Sequence, residues 1–349
     1  MPSPTTKPAP TANRLVALLR RAGLLDWFLL GLVGVVALAY LLPGVGSKAS
    51  PVPWKVLTTG GVALIFFFYG LRLNPAKLKA GLRNWRLHSV VQLTTFVVFP
   101  LLALAVRPFF GSEKADLLWQ SIFFLCALPS TVSTSVVIVG IAGGNLPAAI
   151  FNASISSLLG IFLTPIWTSA ILHTGTGDGH LWHLTLDLTW QVVLPVMAGV
   201  LLNRRFGGFA ERHRQGLRTL DQVIILFIIF TSFCESFAQG VFRGYRPADV
   251  LLLGLGMILL YFLIFGLVWG LSTGLGFSRE DRIVALFCGS KKSLVHGSVM
   301  ASLLFPATAA TGALLLPLML YHALQIMLAS VMAQRMGRRA VAGVPDWGA

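Results

Sequence analysis

Ten long apolar runs divide this chain, near residues 24–42, 54–71, 87–106, 117–142, 147–172, 182–202, 217–238, 248–272, 281–304 and 311–334. A helix needs roughly 20 apolar residues to cross a hydrocarbon core, and each run supplies about that many. With 56% of 349 residues hydrophobic and 11% charged, the chain has too little charge to cover a water-soluble surface, so a bilayer must be its solvent. The expected fold is all-α and polytopic, with ten transmembrane helices. A net charge of +15 raises nucleic acid as a partner. The basic residues are scattered between apolar runs and form no basic domain, which argues against that partner. Cys126, Cys234 and Cys288 lie inside apolar runs, with neither a disulfide framework nor a metal-ligand spacing. Residues 1–23, opening MPSPTTKPAP, read as a Pro- and Thr-rich tail, and residues 335–349 as a second tail. No small-residue cleavage site follows a short apolar core, so the first run reads as a retained helix.

Lysine and arginine positions set the orientation. With ten spans, both termini share a side. That side carries 19 Lys and Arg residues, among them Arg20 and Arg21 before the first span and Arg204 and Arg205 after the sixth; the opposite side carries six. The bias places both termini in the cytoplasm of a bacterial inner membrane. Two basic residues remain, Lys291 and Lys292, inside the ninth span.

The two halves share a layout. Spans starting near 54, 87, 117 and 147 recur near 217, 248, 281 and 311, and Cys126 and Cys288 stand 162 residues apart. Five spans per half is an odd number, so the repeats, 24–172 and 182–334, must be inverted in the membrane. Inverted repeats with matched broken helices are a common build of secondary transporters.

Two polar interruptions carry the candidate site. In span 4, FFLCALPSTVSTSVVIVG, Pro129 removes a backbone donor. Ser130, Thr131, Ser133, Thr134 and Ser135 then place five hydroxyls in six residues. Unwound backbone at this depth survives only where protein buries it or it lines a cavity. The hydroxyls either bind a small cation or anionic head group, or patch the kink and tighten packing. In span 9, IVALFCGSKKSLVHGSVMASLLFP, Gly289 and Ser290 precede Lys291, Lys292, Ser293 and His296. A charge near the bilayer centre costs roughly 2.5–3.5 kcal/mol on insertion scales. Adjacent helical residues point about 100° apart. One lysine is therefore expected to line a cavity while the other snorkels or contacts unwound backbone; the plainer alternative is an interfacial loop. Asn152 and Gln92 are secondary lining candidates. Glu235 either pairs with a lysine or sits near a helix end. Ser154 and Ser156 are further lining candidates, while Ser156, Ser157 and Gly160 read alternatively as close-packing positions. Nothing suggests an enzyme: there is no HExxH pair, aspartate-rich motif or carboxylate cluster.

The segments LRLNPAKLKAGLRNWRLHSVVQLTTFVVFPLL, ALPSTVSTSVV, GGNLPAAIFNASISSLLGIFLTP and FCGSKKSLVHGSVMASLLFP resemble the bile acid:sodium symporter superfamily, solute carrier family 10. The likeness is to the branch that includes its seventh human member and bacterial relatives. The resemblance implies a core domain in which spans 4 and 9 cross at unwound centres, and a panel domain of spans 1, 2, 6 and 7. It also implies an organic-anion solute and sodium coupling, with Thr134 and Ser135 at the sodium-binding positions. The chain departs from the pattern where a sodium-binding glutamate is expected, at Phe287, and Ser290, Lys291 and Lys292 replace other polar groups. Sodium-facing hydroxyls fall near Ala149 and Ala153. A hard cation favours several oxygens, usually with a carboxylate. The expectation is that a lysine ammonium replaces the sodium, giving sodium-independent transport or coupling to proton release from a buried lysine. No cofactor is expected. The competing reading is a non-transporting regulator of ion or cell-envelope homeostasis on the same fold.

Overall fold

The computed structural model describes residues 27–72, 84–172, 180–240, 242–243, 246–305 and 310–341. The first tail therefore lies outside the described residues, as does the end of the second. Every regular element among the described residues is helical. The first half comprises α1 (Trp27–Leu41), the short α2 (Pro43–Gly46), α3 (Trp54–Arg72), α4 (Trp85–Leu93), α5 (Phe99–Ala105), α6 (Glu113–Ala127), α7 (Ser133–Ala142) and α8 (Leu146–Ile171). A π turn over Thr94–Val98 joins α4 to α5. The second half comprises α9 (His180–Arg212), α10 (Arg214–Ala238), α11 (Pro247–Gly274), α12 (Arg279–Gly289), α13 (Leu294–Leu304) and α14 (Ala310–Val341). Six helical stretches among the described residues are long and apolar enough to cross a membrane, and α1 and α6 contain shorter apolar helices. Leu251, Leu252, Leu255 and Leu259 on α11 are exposed, as lipid-facing side chains must be.

The terminators are legible residue by residue. Gly143 takes a left-handed φ of 77°, and the next N–H, of Gly144, bonds back to Val139 O at 2.9 Å, closing α7. Asn145 then caps α8 by accepting the Ala148 N–H at 3.2 Å. Asp281, in the first turn of α12, accepts from Asn84 at 2.6 Å and Asn145 at 2.9 Å, tying together the starts of α4, α8 and α12.

Two expected boundaries move. The basic segment after residue 202 continues α9 to Arg212, with His213 alone separating it from α10. Likewise α14 runs through Arg335 and Arg338 to Val341, well into the expected tail. Neither segment contains a proline, and the arginines favour helix once the preceding helix has nucleated it.

Small residues set the closest approach. A Cβ on Gly70 of α3 would lie 2.1 Å from Val196 O, and one on Gly199 of α9 would lie 2.1 Å from Phe67 O. These helices pack backbone to backbone, as small-residue interfaces in lipid allow. Gly160 gives α8 the same intimacy with the first break, where an added Cβ would lie 2.6 Å from Pro129 Cγ.

Candidate functional site

Between α6 and α7, and again between α12 and α13, the chain leaves helical geometry inside the apolar interior. Each break frees carbonyls that need donors. At the first, Leu125 O takes the Leu128 N–H, Ala127 O takes the Thr164 hydroxyl at 2.8 Å, and Pro129 O takes the Ser293 N–H at 2.9 Å. The two other carbonyls, of Cys126 and Leu128, accept from the Lys292 ammonium at 2.6 and 2.7 Å.

A third carbonyl, of Thr95, accepts from the same ammonium at 2.8 Å. Pro100 explains why it is available. In the π turn the Phe99 N–H bonds to Thr94 O, so Thr95 O would look to residue 100, which has no N–H. Phe96 O, the α-helical partner of residue 100, instead takes the Trp167 indole N–H at 2.9 Å. An ammonium has three donors, and all three of Lys292's are used. The Phe99 ring centroid, 4.1 Å from Nζ, adds a cation–π contact. Lys291 makes one polar contact, at 3.3 Å to Thr134 O, with the Phe287 ring 5.7 Å away.

At the second break, Ser135 and Ser130 donate to Phe287 O and Cys288 O at 3.3 and 2.6 Å. From α14, Tyr321 donates to Ser290 O at 2.7 Å. Gln325 accepts the Lys292 N–H at 2.8 Å and donates to Lys292 O at 2.7 Å. The breaks thus exchange partners. Ser130 in the first break and Ser135 in the turn of α7 after it satisfy carbonyls preceding the second, and Lys292 of the second satisfies carbonyls at the first.

The other sequence candidates fall into place around this exchange. Thr134 donates to Thr131 at 2.8 Å, and Thr131 and Ser135 hydroxyls stand 2.8 Å apart. Residues 133–135 form the first turn of α7 and are not part of the unwound stretch; the Ser133 side chain lies outside the described ones. The Ser290 hydroxyl folds back onto Leu286 O at 2.6 Å. Ser293 caps α13 by accepting the His296 N–H at 3.3 Å, and its hydroxyl lies 2.9 Å from His296 Nδ1. Gln92 donates to Asn152 Oδ1 at 3.3 Å, so the two secondary candidates engage each other. Glu235 pairs with neither lysine. Its carboxylate accepts the Lys48 N–H at 2.9 Å and the Gln239 amide, holding the segment before α3 to the end of α10.

The lysines meet half of the expectation: Lys292 contacts carbonyls of the unwound break, but both lysines are fully buried and neither lines the cavity described below. The 100° argument fails because the chain is unwound at these positions, so each side chain finds its own carbonyls. Among the described residues the ion pairs are Arg72–Asp221 at 2.7 Å and Arg107–Asp116 at 2.6 Å, so carbonyl dipoles and aromatic rings surround the lysines there instead of carboxylates. As a sodium site the break has a weak donor set. It offers the hydroxyl oxygens of Thr134 and Ser135, both of which also donate hydrogen bonds, and no carboxylate within residues 125–135 or 286–296.

A cavity of about 330 Å³ adjoins the breaks. Thr131, Thr134, Ser293 and His296 line it where both half-helices α7 and α13 begin. Phe28, Ile65, Phe66, Val299 and Ile326 give it apolar walls, and exposed Arg214 and half-buried Arg218 belong to its lining as well. In sequence those arginines belong to the basic segment that follows the sixth span. Tyr321, His322 and Gln325 carry a sequence signal of their own: polar side chains within an apolar span are expensive and need a reason.

An all-helical polytopic membrane protein with two stitched helix breaks beside a cavity has the build of a membrane transporter. Residues 26–338 match the SBF-like CPA transporter family, and the chain belongs to that family, one of transporters and not of enzymes. An uncharacterised protein of Pseudomonas aeruginosa is 42% identical over 90% of this chain and 93% of its own. YfeH of Escherichia coli, named as a candidate symporter, is 34% identical over 90% of this chain and 94% of its own. Sodium/bile acid cotransporter 7 of Xenopus tropicalis is 30% identical over 88% and 90% respectively.

Proposed function

We propose that this protein is a secondary transporter that carries an amphipathic organic anion through the cavity by alternating access, with the Lys292 ammonium serving as a tethered replacement for a coupling cation. The observation that carries the reading is the seat of Lys292: three carbonyl oxygens at 2.6–2.8 Å, the oxygen donors an inorganic cation would need, already filled by an ammonium. Transport is then independent of sodium, although the name of the Xenopus relative pairs bile acid with sodium. The solute's anionic group is favoured by the N-termini of α7 and α13, which bring positive helix-dipole ends to the cavity. With Arg72 paired to Asp221, Arg214 and Arg218 outnumber Glu211 in the lining, leaving a modest positive potential that raises the local concentration of anions. The apolar walls suit a hydrocarbon body.

The architecture of this reading is ten spans in two inverted five-span repeats, 24–172 and 182–334, with both termini cytoplasmic in a bacterial inner membrane. The charge bias and the reciprocal bonding of the two breaks support it. Spans 4 and 9 form the core, against which the panel of spans 1, 2, 6 and 7 moves. Uptake into proteoliposomes tests the function, using a panel of carboxylated and sulfonated amphipaths with sodium and proton gradients imposed separately. Saturable uptake of one class without sodium is expected. Absence of counterflow for every anion by folded protein would favour a regulator on the same fold.

A further inference from the structure

Lys292 does not hold its own backbone in place. Within the unwound stretch its N–H and C=O lack helical partners, and both are met by one side chain, Gln325 of α14. This pairing also fixes the amide's orientation, because a flipped amide would set oxygen against oxygen and N–H against N–H. Gln325 Nε2 then has a second hydrogen, and it points to His322 Nδ1 at 3.0 Å. An amide nitrogen only donates, so Nδ1 must accept, and the imidazole is neutral with its proton on Nε2. His322 lines the cavity, one helical turn from Gln325 and edge-on to Phe28 at 6.3 Å. An unbroken path of two hydrogen bonds therefore joins the cavity wall to the backbone of the residue whose ammonium closes the carbonyl cage.

We infer that Gln325 is a positioning residue that couples occupancy of the cavity to the seat of Lys292, with His322 as the sensing group. This rests on the transport reading above. A solute that shifts the His322 ring, or accepts its Nε2–H, changes what Nδ1 offers to Gln325. The clamp on Lys292 N–H and C=O changes with it. Binding would thus loosen or tighten the ammonium on Thr95, Cys126 and Leu128 carbonyls at the point where α6 and the π turn meet. Neither His322 nor Gln325 need touch the ammonium itself for this to happen.

The test reads the accessibility of Lys292 directly. Purified full-length protein in detergent is acetylated with acetic anhydride, and modification of Lys292 is followed by peptide mass spectrometry with and without cholate or taurocholate. In the wild type, Lys292 resists labelling, and the solute that binds changes its rate. Gln325→Leu should raise labelling without solute by about tenfold or more, the scale of losing two buried hydrogen bonds. Gln325→Glu, which retains the acceptor for the Lys292 N–H, should fall between the two and serves if the leucine variant does not fold. His322→Leu, which removes the acceptor for Gln325, should shift labelling without solute away from the wild-type rate and abolish any further change on adding solute. Unchanged labelling in folded Gln325 variants, or a solute effect that survives His322→Leu, overturns the inference. If calorimetry shows the solute binding while labelling stays constant, the coupling is wrong and the transport reading stands. If neither solute binds, the choice of solute class fails, and the Gln325 comparison still decides the positioning role.

Discussion

Lys292→Met removes the ammonium while keeping most of the side-chain volume. Three carbonyls, on Thr95, Cys126 and Leu128, then lose their donor in a fully buried setting. A buried acceptor left unmet costs about 1–3 kcal/mol, so three approach roughly 3–9 kcal/mol before relaxation. Relief of the desolvation cost of the ammonium offsets part of this, and removing one partner of a buried charged contact typically costs about 3–5 kcal/mol in total. That range corresponds to a melting temperature lower by on the order of 10 °C. The same vacancy offers oxygen ligands to a small cation. Sodium at about 100 times its dissociation constant would return roughly 2.7 kcal/mol by mass action. The assay is thermal unfolding of purified protein in detergent, with sodium chloride compared against choline chloride, whose cation is too large for the cage. The expected result is a destabilised variant that sodium stabilises more than it stabilises the wild type. A variant melting within about 2 °C of wild type, or equal sodium responses in both proteins, would refute the reasoning.

Smaller perturbations separate the parts of the site. Ser130→Ala deprives Cys288 O of its 2.6 Å donor and should cost about 1–3 kcal/mol by thermal unfolding, whereas Lys291→Met, with one 3.3 Å contact, should cost less than Lys292→Met. Gly199→Ala places a methyl 2.1 Å from Phe67 O, so α3 and α9 must separate. A loss of folded yield is expected from this overpacking, read by size-exclusion of the solubilised protein. The Arg214→Gln, Arg218→Gln double variant should raise KM for anionic solutes with little change in maximal rate, and the difference should shrink as salt increases.

Much of this was open to reading from sequence, and the remainder has an identifiable reason. Hydropathy runs and basic clusters mark the membrane segments because lipid penalises every unpaired backbone group and every stray charge. Pro129 and Gly289 mark the breaks for the same reason, and the Gly143–Asn145 turn is written in its capping residues. The partners of Lys292 were not legible, because two of them are backbone carbonyls of Cys126 and Leu128, which any residue could supply. The third depends on a π turn, for which Pro100 was the clue. Residue periodicity misled at Lys291 and Lys292, since it presumes helix where the chain is unwound. Gln325 and His322 stood out as polar residues in an apolar span, yet only the fold brings α14 against the second break.

The most direct measurement of the central claim is initial uptake of cholate and taurocholate into proteoliposomes at equal ionic strength, with sodium wholly replaced by choline, for wild type and Lys292→Met. If Lys292 stands in for a coupling cation, wild-type uptake is the same in both salts, and the variant is inactive in choline with activity returning in sodium. Strict sodium dependence of the wild type, together with an active Lys292→Met, would contradict it.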